Sequence, residues 1–215
     1  MIVTIDGPAG AGKSSAAREL ARRLGFRFLD TGAMYRAVTL AARDRGLDLA
    51  NRDQVAELVP TLSVDLTGDR VLLNGHDVTT AIRKFDITSA THFAADNPAV
   101  RQQLVAWQRA AAAEVNVVTE GRDQGTVVFP HAECKIFLVA DEHERARRRH
   151  ADLLTRGEQI SLEEVLANQR QRDARDAARP VGALVKAADA IEVATDGLTP
   201  EEVVAKLEQI VRSKQ

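Results

Sequence analysis

Residues 2–15 read Ile-Val-Thr-Ile-Asp-Gly-Pro-Ala-Gly-Ala-Gly-Lys-Ser-Ser, and this stretch decides the fold. Residues 2–6 form a short, β-branched run of the kind that makes a buried strand. Positions 7–14 then fit G-x-x-x-x-G-K-[ST] at every fixed place. A helix is expected from about Ser14 to Leu24, with Gly25 at its end. Strand, glycine loop and helix in this order make a phosphate cradle. The glycines let backbone N–H groups converge on phosphate oxygens, and the helix N-terminus adds its positive end. In such a loop Lys13 reaches the β- and γ-phosphates, and the Ser14 hydroxyl is the candidate ligand to Mg²⁺. The reading is therefore a nucleoside triphosphate with Mg²⁺.

Working outward, strands and helices alternate. Phe26 to Leu29 reads as a second strand, and Asp30-Thr31-Gly32 opens a helix to about Arg45. Residues 51–60 form a short helix capped by Asn51 or Asp53. Thr67-Gly68-Asp69 and Asn74-Gly75 are tight-turn signals, so 63–78 is expected as a small antiparallel insertion outside the main sheet. Residues 79–95 look helical, and Asn97-Pro98 opens a long helix to about Glu114. Strands follow at 116–119, 134–140 and 190–193, with helices from Glu142, from Ser161 to about Ala178, and from Thr199. This alternation gives an α/β fold with a doubly wound, mostly parallel sheet.

The composition excludes several classes. The chain has 215 residues and a formal net charge of −2, without the basic excess of a dedicated nucleic-acid binder. Aromatic residues are only 4%, too few for RNA-stacking platforms. No apolar run approaches a membrane span, and the N-terminus lacks the pattern of a signal peptide. Cys134 stands alone, which rules out an internal disulfide and a multi-cysteine metal site. What is expected is a cytoplasmic monomer that acts on small molecules, with no nucleic-acid or membrane partner. Of the basic residues 23 are Arg, which suits bidentate grips on phosphate wherever position supports that use.

Position supports it at three places. Asp30-Thr-Gly-Ala-Met-Tyr-Arg36 and Glu120-Gly-Arg-Asp-Gln-Gly125 each end a strand, at the sheet edge where ligands bind. Arg172-Asp-Ala-Arg-Asp-Ala-Ala-Arg179 repeats arginine on one helix face. No Asn-Lys-x-Asp guanine signature is present. The basic run at 145–149 is read as a lid or a solvated helix.

The phosphate loop with LDTGAMYR, EGRDQGTVVFP, KIFL and RDARDAAR, in this order, resembles the bacterial cytidylate kinases of the nucleoside monophosphate kinase family. The resemblance covers nearly the whole chain, 1–215, as one P-loop kinase domain. It implies a five-stranded parallel sheet, a monophosphate-binding insertion at 63–95 and a short lid at about 142–160. It implies phosphoryl transfer from ATP to CMP and dCMP, with ATP and Mg²⁺ as cofactors.

The same resemblance implies the site. Gly7, Pro8, Ala9, Gly10, Ala11, Gly12, Lys13, Ser14 and Ser15 would hold the ATP phosphates. Thr31, Tyr35 and Arg36 would lie near the acceptor monophosphate, gripped also by Arg122. Arg101 and Asp123 would read the cytosine edge, and Arg172, Asp176 and Arg179 would contact ribose and phosphates. Lys13, Arg122, Arg172 and Arg179 are the implied catalytic cations. Arg145, Arg149 and Arg156 fall in or beside the lid. Two departures stand out. Glu120 takes the place of an aspartate common in the family, and the segment between Ala95 and Pro98 is one residue longer than the family's. The base-reading hydroxyl is then Thr91 if the extra residue follows Ala95, and His92 takes its place without a gap.

Overall fold

The computed structural model describes residues 1–155 and 157–215; Arg156, an expected lid arginine, lies outside the described residues. Along the chain run β1 (Ile2–Asp6), α1 (Lys13–Leu24), β2 (Arg27–Asp30), α2 (Thr31–Asp44), α3 (Arg52–Leu58), β3 (Val64–Thr67), β4 (Arg70–Leu73) and β5 (His76–Asp77). There follow α4 (Phe85–Ala95), α5 (Pro98–Ala111), β6 (Val117–Gly121), β7 (Cys134–Val139), α6 (Glu142–Thr155), α7 (Leu162–Ala177), β8 (Ile191–Ala194) and α8 (Pro200–Arg212). They fall into two compact units, one made of Met1–Phe28 with Val115–Gln215 and one of Leu29–Glu114.

The first unit carries a five-stranded sheet in the order β2-β6-β1-β7-β8. β1 pairs in parallel with β6 on one side and β7 on the other, and β7 pairs in parallel with β8. A central strand covered on both faces needs no polar alternation, and residues 3–6 of β1 are all buried. The chain moves to one side of β1 for β2 and β6 and to the other for β7 and β8. The loop after β1 therefore sits at the switch point, where an open α/β sheet leaves room for a ligand. α1 and α8 cover the sheet together: Ala17 and Leu20 of α1, and Leu207 and Val211 of α8, join Val3, Ile5, Ile136 and Leu138 in one core.

The second unit holds the expected antiparallel piece, a three-stranded sheet in the order β3-β4-β5. Asn74 and Gly75 both have positive φ, at 50° and 79°, the backbone that an Asn-Gly hairpin turn requires. Ala33, Ala37 and Leu40 of α2 form its core with Val71 of β4 and Ile82 and Ile87.

Two local expectations are corrected, a turn that no sequence signal marks is added, and one open alternative is resolved. The stretch 79–95 is not one helix but a 3₁₀ turn at Ala81–Arg83 and then α4, because Lys84 between them is extended (ψ 149°). α5 stops at Ala111 and not at Glu114, which has left-handed φ of 60° and cannot continue a helix. The stretch after Asp123 is a single π turn, Gln124–Val128, for which the sequence has no periodic signal. Asn51, not Asp53, caps α3 by accepting from the Gln54 N–H.

Candidate active site

In the first unit the site is built on the loop between β1 and α1. Gly7 has φ 148°, and a Cβ there would lie 2.2 Å from the Leu138 carbonyl oxygen, so only glycine lets the loop leave β1 against β7. Gly12 caps α1 in the left-handed conformation at φ 86°. The Lys13 ammonium is buried and donates to the Pro8 carbonyl at 2.7 Å. Burial, then the Arg122 guanidinium, pull its pKa down to about 7, against the pull of Glu120 and Asp6; Arg172 adds to the lowering. Ser14 Oγ donates to Glu120 Oε1 at 2.9 Å.

A cluster of cations lies by this loop. Arg122, just past β6, donates from Nε to Asp176 Oδ2 at 2.7 Å and from Nη1 to the Gly121 carbonyl at 3.2 Å. Arg179 reaches the other oxygen of Asp176 at 2.7 Å. Burial works against the Asp176 charge, but the Arg122 and Arg179 guanidiniums outweigh it and hold the carboxyl below the ordinary range, with Arg172 adding to them. Lys13, Arg122, Arg172 and Arg179 thus share one electrostatic neighbourhood in which cation faces cation, Arg122 and Arg172 against Lys13 and Arg122 and Arg179 against Arg172. Such a site is pre-charged for polyanions, whose arrival relieves repulsion among the cations.

Arg145 of α6, in the region expected as the lid, is buried. Its Nη1 donates to the Ala9 carbonyl at 2.8 Å and to Asp173 of α7 at 2.6 Å, and its Nε donates to the Ala140 carbonyl. It clasps the phosphate loop to the α6–α7 pair. The region 142–160 is accordingly one long helix and the start of the link to α7, and Gln169 of α7 donates back to the Glu142 carbonyl. Arg149 lies close enough to Arg172 to lower its pKa.

In the second unit Asp30 caps α2 by accepting from the Ala33 N–H at 2.8 Å, and it also accepts from Arg36 at 3.5 Å. Thr31 is buried at the start of α2. Arg101 of α5 donates to the Tyr35 hydroxyl at 3.3 Å and to the Ala95 carbonyl at 3.4 Å, with its guanidinium 6.0 Å from the Tyr35 ring centre. Thr91 sits one turn after the buried Ile87 and donates to its carbonyl at 2.7 Å, which still leaves the oxygen able to accept. His92 turns instead to the Ser89 carbonyl and stacks beside Phe93.

Two residues were not picked out as site residues by the sequence reading. Glu120 backs Ser14, and Asp6 accepts hydrogen bonds from two backbone N–H groups of the π turn. Glu120 had a signal, since it ends a strand beside the loop. Asp6 had none, because a β1 residue meets residues near 124 only once the sheet is assembled. Cys134 is buried, and burial pushes its thiol up to about 11, so it is no nucleophile.

The sheet, the loop and the cation cluster define a P-loop phosphotransferase. Solved structures agree on the fold: the shikimate kinase from Bacteroides thetaiotaomicron superposes with a TM-score of 0.52 at 14% identity, over 99% of this chain and 98% of that one. The family profile described as Cytidylate kinase matches residues 3–213. The cytidylate kinase of Rhodopirellula baltica is 50% identical over 212 residues, covering 99% of this chain and 93% of that protein. That of Carboxydothermus hydrogenoformans is 47% identical, covering 100% and 98%. The chain belongs to the cytidylate kinase family. Among the described residues no helix is long and apolar enough to cross a membrane.

Proposed function

We propose that the protein transfers the γ-phosphoryl group of ATP to CMP, and to dCMP, giving ADP and the corresponding diphosphate. The observation that carries this reading is the cation set of Lys13, Arg122, Arg172 and Arg179 around the phosphate loop of a chain in this family. The attacking group is a phosphate oxygen, already ionised near neutral pH, so no general base is required. The difficulty is bringing two polyanions into line. Residues 7–15 bind the ATP phosphates through backbone N–H groups, and Lys13 neutralises the β- and γ-phosphates. Arg122 grips the acceptor phosphate, while Arg172 and Arg179 neutralise charge as it shifts toward the leaving oxygen.

Asp176 keeps two of these arginines in place and contacts the ribose. Asp123 and Arg101 read the cytosine edge, Thr91 supplies the nearby hydroxyl, and Thr31, Tyr35 and Arg36 serve the acceptor phosphate. Residues 63–95 form the acceptor-binding insertion and about 142–160 the lid, and the protein works as a cytoplasmic monomer. Mg²⁺ fits the donor set, since a hydroxyl at Ser14 with a carboxylate at 2.9 Å offers the hard oxygen ligands that this ion prefers. When bound, it would supply positive charge that offsets the charge of the phosphates. Ser14 would hold it, with Glu120 behind.

The test is ADP release in a coupled assay with CMP, dCMP, UMP, AMP, GMP and shikimate as acceptors. Turnover with CMP and dCMP well above the others is expected. Equal or better turnover with another acceptor would overturn the reading.

A further inference from the structure

We propose that Asp6 is a positioning residue for the acceptor nucleotide: its carboxylate holds the π turn after Asp123 and thereby sets where Arg122 and Asp123 point. The proposal rests on the assignment of those two residues to the acceptor, made above.

Asp6 is the last residue of β1 and is buried. Its Oδ1 accepts from the Gln124 N–H at 2.9 Å and its Oδ2 from the Gly125 N–H at 2.7 Å. Both oxygens are thus aimed at consecutive amides of the π turn. A π turn has N–H groups at its start without partners inside it, and here another strand supplies them. Asp123, in the N-cap position, makes no side-chain cap bond to the turn. Capping across the sheet lets position 123 carry a carboxylate for another purpose.

The fit around Gly125 is close. A Cβ there would meet Thr4 Oγ1 at 3.0 Å, Lys135 Cδ at 3.3 Å and Asp6 Oδ2 at 3.4 Å. The second glycine of the EGRDQG stretch, Gly125, is therefore what lets the turn come down onto Asp6.

The charges facing Asp6 are Lys13 from α1, which favours its ionised form, and Asp123, which opposes it. Lys135 of β7, whose aliphatic chain lies beside Gly125, directs its ammonium elsewhere, to the Pro130 carbonyl and Asp189. Burial pushes the Asp6 carboxyl up to about 6 in spite of its two N–H donors. A buried carboxylate held at that cost is not needed for β1 itself, where a Val or Ile would serve. Asp6 also directly precedes Gly7. One residue therefore joins the start of the ATP loop to the segment that meets the acceptor.

The test compares wild type with Asp6→Asn, which keeps the shape but can accept only one of the two bonds, and with Gly125→Ala, which pushes the turn off an intact Asp6. Three readouts are taken: kcat/KM for CMP and for UMP, the dissociation constant for MgATP, and the circular dichroism of the fold. Asp6→Asn removes a negative charge near Lys13, so MgATP should bind as tightly as before or more tightly. The value of kcat/KM for CMP should fall on the order of a hundredfold, as expected for a misplaced binding group. The CMP-to-UMP ratio should narrow by at least roughly tenfold. Gly125→Ala should give the same pattern, and it decides the question alone if Asp6→Asn does not fold.

Asp123→Asn serves as the control for the underlying assignment. If it leaves the CMP-to-UMP ratio unchanged, the base-reading role is wrong, and Asp6 is judged on CMP against MgATP alone. Equal losses for CMP and MgATP, or no loss for CMP, would overturn the proposal.

Discussion

At the scale of single residues, the site works by holding several cations close to one another. Lys13 is the clearest case. Lys13→Ala should fold normally and lose several orders of magnitude in kcat, since its charge matters most as the phosphoryl group moves. Single-turnover kinetics with saturating CMP checks this. Near-normal turnover would remove the loop from the chemistry. Arg122→Lys keeps the charge yet loses the fork that now ties Asp176 while presenting a second edge. A lysine at 122 reaches Asp176 or the acceptor phosphate, not both. The value of kcat/KM for CMP should fall roughly a hundredfold or more, about 3 kcal/mol. A change under about threefold would place Arg122 outside acceptor binding. Asp123→Asn is expected to narrow the CMP-to-UMP ratio by at least roughly tenfold. A carboxylate accepts from the cytosine amino group but opposes the uracil O4, and an amide can satisfy either. A coupled assay of both substrates reads the ratio directly.

At the scale of elements, what could be read from the sequence was what depends on near neighbours. The glycine loop, the capping box of Ser161 with Glu164, that of Thr199 with Glu202, and the Asn74-Gly75 hairpin all appear where their own few residues require them. The Arg–Asp pattern of α7 was legible as one face; α7 supplies Asp176 to the cluster, whereas Arg179 lies just past the Ala178 C-cap and not on the helix as the pattern had implied. The π turn, the break at Lys84 and the clasp of Arg145 were not legible. The turn and the clasp depend on groups distant in sequence, Asp6 under the turn and Ala9 and Asp173 around Arg145.

That clasp has a measurable consequence. Arg145→Ala leaves Asp173 without its partner and the Ala9 carbonyl without its donor. Breaking a largely buried pair should lower stability on the order of 3 kcal/mol. For a chain of this size that is a fall in Tm of roughly 6–12 °C, read by thermal unfolding. The KM for MgATP should rise more than the KM for CMP, because the loop that loses its brace is the one proposed to hold ATP. Unchanged Tm and unchanged KM for MgATP would show that Arg145 contributes nothing to holding the loop.

At the scale of the whole molecule, the depressed pKa of Lys13 links ligand binding, stability and pH. The free protein keeps Lys13 at about 7, below its ordinary value, so between about pH 7 and 10 the folded chain binds fewer protons than the unfolded chain. Lys13's own contribution to stability therefore grows as pH rises through that window and is absent below it. A bound triphosphate favours the ammonium and reverses the shift. At pH 8 MgATP binding should take up close to one proton. Calorimetry in two buffers of different ionisation enthalpy measures that uptake, and Lys13→Ala should abolish it. Uptake that survives the substitution would assign the proton to another group.

The second unit, Leu29–Glu114, is spliced into the first, which the chain leaves after Phe28 and rejoins at Val115. The Arg27 N–H donates to the Asn116 carbonyl at 2.9 Å, so the two ends of the splice are stitched together. This sets an order of events during folding. The spliced segment is contiguous and its hairpins and helices pair locally, whereas β1 must find β6 across the whole of it, Ile2 against Val117. Closing a long slack loop is slow, and a loop already collapsed into its own core is effectively short. Amides of α2 and β4 should gain exchange protection before those of β1 and β6 in a pulse-labelled refolding experiment. During synthesis β1 is made before β6, with α1, β2 and the whole spliced segment between them, a delay during which its apolar edge is open to other chains.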